Sequence, residues 1–182
     1  MEIQTATFAG GCFWCTEAIF KRLKGVTEVI SGYAGGNRVN PSYDQVSKGT
    51  TGHAEAVQVH FNPIVIPYEK LLEIFWHFHN PTTLNQQGAD IGTQYRSVIF
   101  YHNDEQKKLA STSKESIEKS GMYKDPIVTE IKPFENFYSA EDYHKDYYDS
   151  NQSAPYCTYV IDPKIQKLLK EYGNDVKEEY KK

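Results

Sequence analysis

The 182 residues carry a formal net charge of −4 and no basic cluster of the kind a nucleic-acid binder uses to offset phosphate. No apolar run approaches the ~20 residues of a membrane-spanning helix, and the start, Met1-Glu2-Ile3-Gln4-Thr5, lacks the basic and apolar regions of a signal peptide. A cytoplasmic monomer is expected, with one domain over residues 1–172 and a frayed polar tail over residues 173–182.

Ile3–Ala9 reads as a strand that Gly10-Gly11 interrupts, and Cys12–Leu23 then reads as a helix. Val26–Tyr33 is a second strand. A turn-rich stretch follows, with Gly35-Gly36-Asn37 and Asn40-Pro41-Ser42, before a third strand at Ala54–Phe61. Pro67 opens a helix with Tyr68, Leu71, Leu72, Phe75, Trp76 and His79 on one face, and Pro81 marks its end. A loop over Asn80–Gln94 leads to a fourth strand, Arg96–Tyr101. Asn103, with Gln106 three residues on, caps the next helix, and Gly121 stops it. Pro126–Lys132 gives a fifth strand, with short helices near Ala140–Asp149 and Pro163–Tyr172. Strand-helix-strand, repeated, is the split βαβ pattern, so an α+β two-layer sandwich with a ferredoxin-like core is expected. A Rossmann-like parallel sheet fits less well, because no helix of crossover length joins the second and third strands.

Three places carry chemistry. Ala9-Gly10-Gly11-Cys12-Phe13-Trp14-Cys15 ends a strand in two glycines and opens a helix on a cysteine. The free N–H groups of a helix start favour a thiolate, and glycines leave an incoming ligand room. In a reducing compartment the three cysteines, Cys12, Cys15 and Cys157, are expected to be chemical rather than structural. In the third strand Glu55 alternates onto the side of Val57, Val59 and Phe61, where burial would keep a carboxyl neutral and able to donate a proton; the pattern fits equally a Glu55 at the strand's wet end that stays ionised. The loop Gln87–Arg96 is long, small and polar, and Tyr95 stands where the next strand begins. Tyrosine is the compositional outlier at 14 copies, which suits a cleft both apolar and hydrogen-bonding.

Five ordered blocks resemble the A-class peptide methionine sulfoxide reductases from about Ala6 to Ile161. They are Gly11-Cys12-Phe13-Trp14, then Gly32–Gly36 with Asn40–Tyr43, then Thr51–Val57, Gly92–Ser97 and Ala140–His144. The resemblance implies that Cys12 attacks the sulfoxide sulfur of the S epimer and that Glu55 protonates its oxygen. It implies that Tyr43 and Tyr95 hydrogen-bond that oxygen and that Asp90 orders the polar side. Phe13 and Trp14 would hold the methyl group, with His144 among the substrate-binding residues. Release of methionine would leave Cys12 as a sulfenic acid, and thioredoxin would be the final reductant, with no metal, flavin or nicotinamide. Substrates would be free and protein-bound methionine sulfoxide.

Many family members carry glycine where this chain has Cys15, so two thiols compete to resolve Cys12. Cys15 is three residues away, and Cys157 lies in Ser153-Ala154-Pro155-Tyr156-Cys157, which resembles the family's recycling-cysteine region. Cys15 is the preferred partner for the first disulfide. Other readings of the same residues are a general C-x-x-C disulfide oxidoreductase, a non-catalytic binder of methionine peptides and a redox sensor. A zinc site is disfavoured because Cys157 lacks a nearby Cys or His partner.

Overall fold

The computed structural model describes residues 2–182. The strands are β1 (Gln4–Gly10), β2 (Val26–Ala34), β3 (Ala54–Phe61), β4 (Gln86–Gln87), β5 (Asp90–Ile91), β6 (Ser97–Tyr101), β7 (Glu130–Pro133) and β8 (Phe137–Ser139). The helices are α1 (Phe13–Lys21), α2 (Tyr43–Ser47), α3 (Tyr68–His77), α4 (Asp104–Ser120), α5 (Tyr147–Ser150) and α6 (Asp162–Tyr172). Six strands form one sheet in the order β7-β6-β1-β3-β2-β8, and β4 and β5 form a small separate hairpin. Only β7 on β6 is parallel; the other pairings in both sheets are antiparallel, which excludes a Rossmann-like parallel sheet. The fold is mixed α/β.

Strand alternation sorts the side chains into two layers of contact. Phe8 of β1, Tyr33 of β2, Val57, Val59 and Phe61 of β3 and Ile99 of β6 join the core formed with α1, α3 and α6. The opposite face carries Ala9, Ala34, Ala54, Ala56, Val98 and Phe100, against which Phe134 and Phe137 pack. Trp76 and Leu72 of α3 and Leu168 of α6 are wholly buried, each contributing roughly 1.5–3 kcal/mol of hydrophobic stabilisation. No helix among the described residues is long and apolar enough to cross a membrane.

Several elements differ from the expectations. α2 lies inside the stretch read as turns, and it is closed by a capping box: the Gln45 N–H donates to Ser42 Oγ (3.3 Å) and the Ser42 N–H to Gln45 Oε1 (3.0 Å). The expected strand from Pro126 starts only at Glu130, because the Val128 N–H donates to the Pro81 carbonyl (2.8 Å) and ties that segment to the end of α3. The expected helix over Ala140–Asp149 is broken at Asp146, whose φ of 52° leaves only a single turn on one side and α5 on the other.

The C-terminal residues do not fray. Val176 is wholly buried in a bridge to Leu23, the Lys177 N–H donates to the Arg22 carbonyl (2.9 Å), and Tyr180 lies under the Arg22 guanidinium. The charged sequence hid this, because one apolar residue and an aromatic ring do the packing.

Candidate active site

The site is built on the N-terminus of α1. β1 delivers the chain to Gly11, whose φ is 95°, a conformation that glycine adopts without a Cβ penalty. A Cβ there would stand 2.6 Å from Gln87 Cγ. The two glycines therefore do not leave open space for a ligand as expected. Gln87 of β4 covers Gly11, while Gly10 faces Phe75 and His79. Close packing of the β4–β5 hairpin is what the glycine permits.

Cys12 occupies the N-cap of α1 in an extended conformation (ψ 125°) and is 7% exposed. The first orphan N–H of the helix, that of Phe13, donates to Glu55 Oε1 (3.1 Å). Glu55 thus caps α1 from β3, with Tyr33 as its cross-strand neighbour. It is 2% exposed, and burial pushes its carboxyl up to about 8, against the Phe13 N–H, which favours the charged form. The position read from strand alternation is buried, not at a wet strand end.

The thiols differ from the simple expectation of a helix-stabilised Cys12 thiolate. Burial pushes the Cys12 thiol well above the usual range, reinforced by its hydrogen bond with Cys15 and the nearby Glu55 carboxylate; the Trp14 N–H opposes this only weakly. Cys15 is brought down to about 7, first by the hydrogen bond from Cys12, with help from Lys164 and Tyr156 against the effect of burial. In this closed arrangement the pair places its negative charge on Cys15.

Three tyrosines and one aspartate surround the two sulfurs. Burial raises Tyr43 above the usual phenol range and Tyr95 to about 12, and both feel Glu55 and Cys12. Their hydroxyls therefore stay protonated as donors beside the thiol. Sequence reasoning missed Tyr156. Its hydroxyl donates to Asp90 Oδ2 (2.7 Å) and stands 3.7 Å from Cys15 Sγ, so it joins the β4–β5 hairpin to the cysteine pair. Only its place beside Cys157 hinted at this.

The aromatic residues form a layered wall. Phe13 is 1% exposed and packs on Tyr33 and Tyr43, so it backs the wall. Trp14 is partly exposed and stacks on Tyr147 at 3.7 Å between ring centroids. His144, expected among the substrate-binding residues, has no exposed surface. Its Nδ1 accepts from the Trp14 indole N–H (3.0 Å), and its ring lies against Tyr43 and Phe13, so it positions the wall from behind. Glu141 was also missed. It accepts from the Tyr33 hydroxyl (2.8 Å) and the Tyr43 N–H (2.9 Å) and so fixes the start of α2. Partial burial opposes its charge, but these donors outweigh it and hold the carboxyl below its ordinary value.

Cys157 is wholly buried at the start of one π-helical turn, Cys157–Ile161, that runs into α6. All three cysteines are free thiols. Among the described residues, no three His, Cys, Asp or Glu side chains are grouped as ligands for a metal.

The arrangement puts a thiol, a neutral carboxyl and hydroxyl donors on one side of an aromatic wall. Comparison with known proteins agrees in kind. The family model described as peptide methionine sulfoxide reductase matches residues 4–177. The peptide methionine sulfoxide reductase MsrA of Saccharolobus solfataricus is 54% identical over 175 residues, covering 96% of this chain and 98% of that protein. The reduced form of Mxr1 from Saccharomyces cerevisiae superposes with a TM-score of 0.80 at 39% identity, over 86% of this chain and 90% of that one. Mxr1 in complex with Trx2 matches with a TM-score of 0.57 at 30% identity, over 80% of this chain and 85% of that one. With the match running nearly end to end, the chain belongs to the peptide methionine sulfoxide reductases.

Proposed function

We propose that the protein reduces the S epimer of methionine sulfoxide, free or in proteins, with Cys12 as nucleophile and Glu55 as proton donor. The observation that carries this is Glu55: a carboxyl 2% exposed, pushed up to about 8 and hydrogen-bonded to the residue that follows Cys12. At neutral pH it is mostly the acid, as a donor to a sulfoxide oxygen must be. Protonation makes the sulfur electrophilic while Tyr43 and Tyr95 hydrogen-bond the same oxygen and Asp90 orders the polar side. Trp14, backed by Phe13, receives the methyl group. The Cys12 thiol forms a bond to sulfur, methionine leaves, and the oxygen remains on Cys12 as a sulfenic acid. Cys15 and Cys157 resolve it to a disulfide.

A dithiol protein then reduces that disulfide. The Mxr1 complex with Trx2 supports thioredoxin in this role. The scheme uses no metal, flavin or nicotinamide. We further propose a cytoplasmic monomer that acts without nucleic acid or membrane. Its catalytic domain is residues 1–172, with residues 173–182 as an appended segment. Its core is a split βαβ of ferredoxin-like kind, a reading supported by the neighbours β6-β1-β3-β2 in the sheet.

Turnover of separate S and R epimers with dithiothreitol tests the reading. Activity on the S epimer that Cys12→Ser abolishes is expected. Insulin disulfide reduction without sulfoxide turnover would instead indicate a general disulfide oxidoreductase.

A further inference from the structure

Trp14, Glu17 and Lys21 lie on one stripe of α1, at helical spacing. All three reach the same distant stretch, His144–Asp149. Trp14 meets His144 and Tyr147, Glu17 meets Asp146, and Lys21 meets Asp146 and Asp149. Glu17 has no part in the sulfoxide chemistry, yet it is only 3% exposed. A glutamate is almost never so buried unless it is paired. Its partner is a backbone group: Glu17 Oε1 accepts from the Asp146 N–H (3.0 Å).

Asp146 stands at a reversal of the chain, with a φ of 52° in the left-handed region. Before it, the main chain is bonded within its own turn. The His144 N–H donates to the Glu141 carbonyl (3.0 Å) and the Lys145 N–H to the Asp142 carbonyl (3.1 Å). After it, the Ser150 N–H donates to the Asp146 carbonyl (3.0 Å) as α5 forms. The Asp146 N–H is left to bond α1. Residues on both sides of the reversal hold Trp14. His144 Nδ1 accepts from the indole N–H (3.0 Å), and the Tyr147 ring stacks on the indole with an interplanar angle of 8°. His144 Nε2 has no hydrogen-bond partner among the described residues. Its ring therefore takes its place from the backbone beneath it and from Trp14.

We infer that Glu17 is a positioning residue for the wall that receives the substrate methyl group: by accepting from the Asp146 N–H it fixes the reversal that seats His144 and Tyr147 against Trp14. The inference rests on the reading of Trp14 as that wall. Glu17 acts through two rings and the main chain, and the reacting atoms are Cys12's and the substrate's.

The contact needs an acceptor rather than a charge. Burial pushes the Glu17 carboxyl up to about 7, against the Asp146 N–H, which favours the charged form. The acid and the carboxylate each offer an oxygen to that N–H, so the contact lasts on both sides of this value. Lys21 fastens the same stretch differently. Its Nζ donates to Asp146 Oδ1 (2.5 Å) and Asp149 Oδ2 (2.6 Å). Those carboxylates are partly exposed and sit on side chains that can swing. Glu17 holds the main chain itself, where the direction of the reversal is set. A pocket that recognises one methyl group depends on such placement, because a small displacement of its wall loses the contact.

The test compares wild type with Glu17→Gln, Glu17→Leu and Glu17→Ser in the whole chain. Gln keeps an oxygen acceptor, Leu keeps the bulk without one, and Ser is too short to reach. Ser also leaves room for water at the Asp146 N–H, which covers the case in which the Leu variant misfolds. First-turnover methionine formation is followed over a range of concentrations of free methionine S-sulfoxide. Glu17→Leu and Glu17→Ser should raise the half-saturating concentration about tenfold and leave the maximal rate little changed. Glu17→Gln should keep both wild-type values. Acrylamide quenching of fluorescence reads the wall directly. The chain has two tryptophans and Trp76 is wholly buried, so quenching reports Trp14. It should rise in the Leu and Ser variants and stay at the wild-type level in Gln. Unchanged half-saturation or unchanged quenching in a folded Leu or Ser variant overturns the inference. So does a Gln variant that behaves as Leu does, or a maximal rate that falls while half-saturation stays. If wild type makes no methionine, the reading of Trp14 as the methyl wall falls, and quenching alone then decides whether Glu17 seats the ring.

Discussion

Replacing Glu55 with Gln removes the buried proton and leaves an oxygen to accept from the Phe13 N–H. With the carboxyl at about 8, about nine-tenths of the molecules hold the proton at pH 7 and about one-tenth at pH 9. The first-turnover rate of methionine formation should therefore fall about tenfold across that interval on the Glu55 limb. Glu55→Gln should be slower by about 10²–10⁴-fold at pH 7 and should lack the limb. Stability shifts with a fixed sign. The folded value lies above the ordinary 4.5, so the contribution is complete below about 4.5 and is lost as pH rises through about 8. Between pH 6 and pH 9 this amounts to about 3 kcal/mol. Urea titrations should show wild type losing that much relative to Glu55→Gln. A descending limb retained in Glu55→Gln, or a wild-type midpoint near 4.5, would refute the assignment of the proton donor.

Other perturbations act through packing and hydrogen bonds. Gly11→Ala combines a φ of 95° with a 2.6 Å approach to Gln87 Cγ; it should destabilise by about 2–4 kcal/mol in urea. Adding Gln87→Ala should recover only part of the steric share, because Gln87 Cβ itself stands 2.8 Å from the added Cβ. Trp14→Phe leaves the buried Nδ1 of His144 without its donor and should cost about 1–3 kcal/mol, measured by the same titration. Val176→Ala hollows out a fully buried site against Leu23 and should lower stability by about 1–3 kcal/mol. An exposed, frayed segment would show no change.

Much of the site was legible because it depends on local pattern. Glu55 could be found from strand alternation with Val57, Val59 and Phe61, and Cys12 from its place between two glycines and a helix. The capping box of α2 was equally local, in Ser42 and Gln45, and was obscured by the turn residues around it. What could not be read depends on contacts across the chain. Tyr156 meets Asp90 over 66 positions and Glu141 meets Tyr43 over 98, and no period in the sequence records such pairs. The unequal behaviour of Cys12 and Cys15 was also hidden, because burial of Cys12 and its hydrogen bond to Cys15 decide it. The packed C-terminal segment was misread because its charged residues outnumber Val176.

The last turn of α1 is finished by residues far along the chain. Lys177 Nζ donates to the Lys21 carbonyl over 156 positions, and the Lys177 N–H closes on Arg22. A ribosome makes the two ends of this contact at very different times. α1 emerges early, carrying Cys12 at its head, and its free carbonyls wait until residue 177 has been added. The C-terminal end of this helix is therefore completed only by some of the last residues to be made.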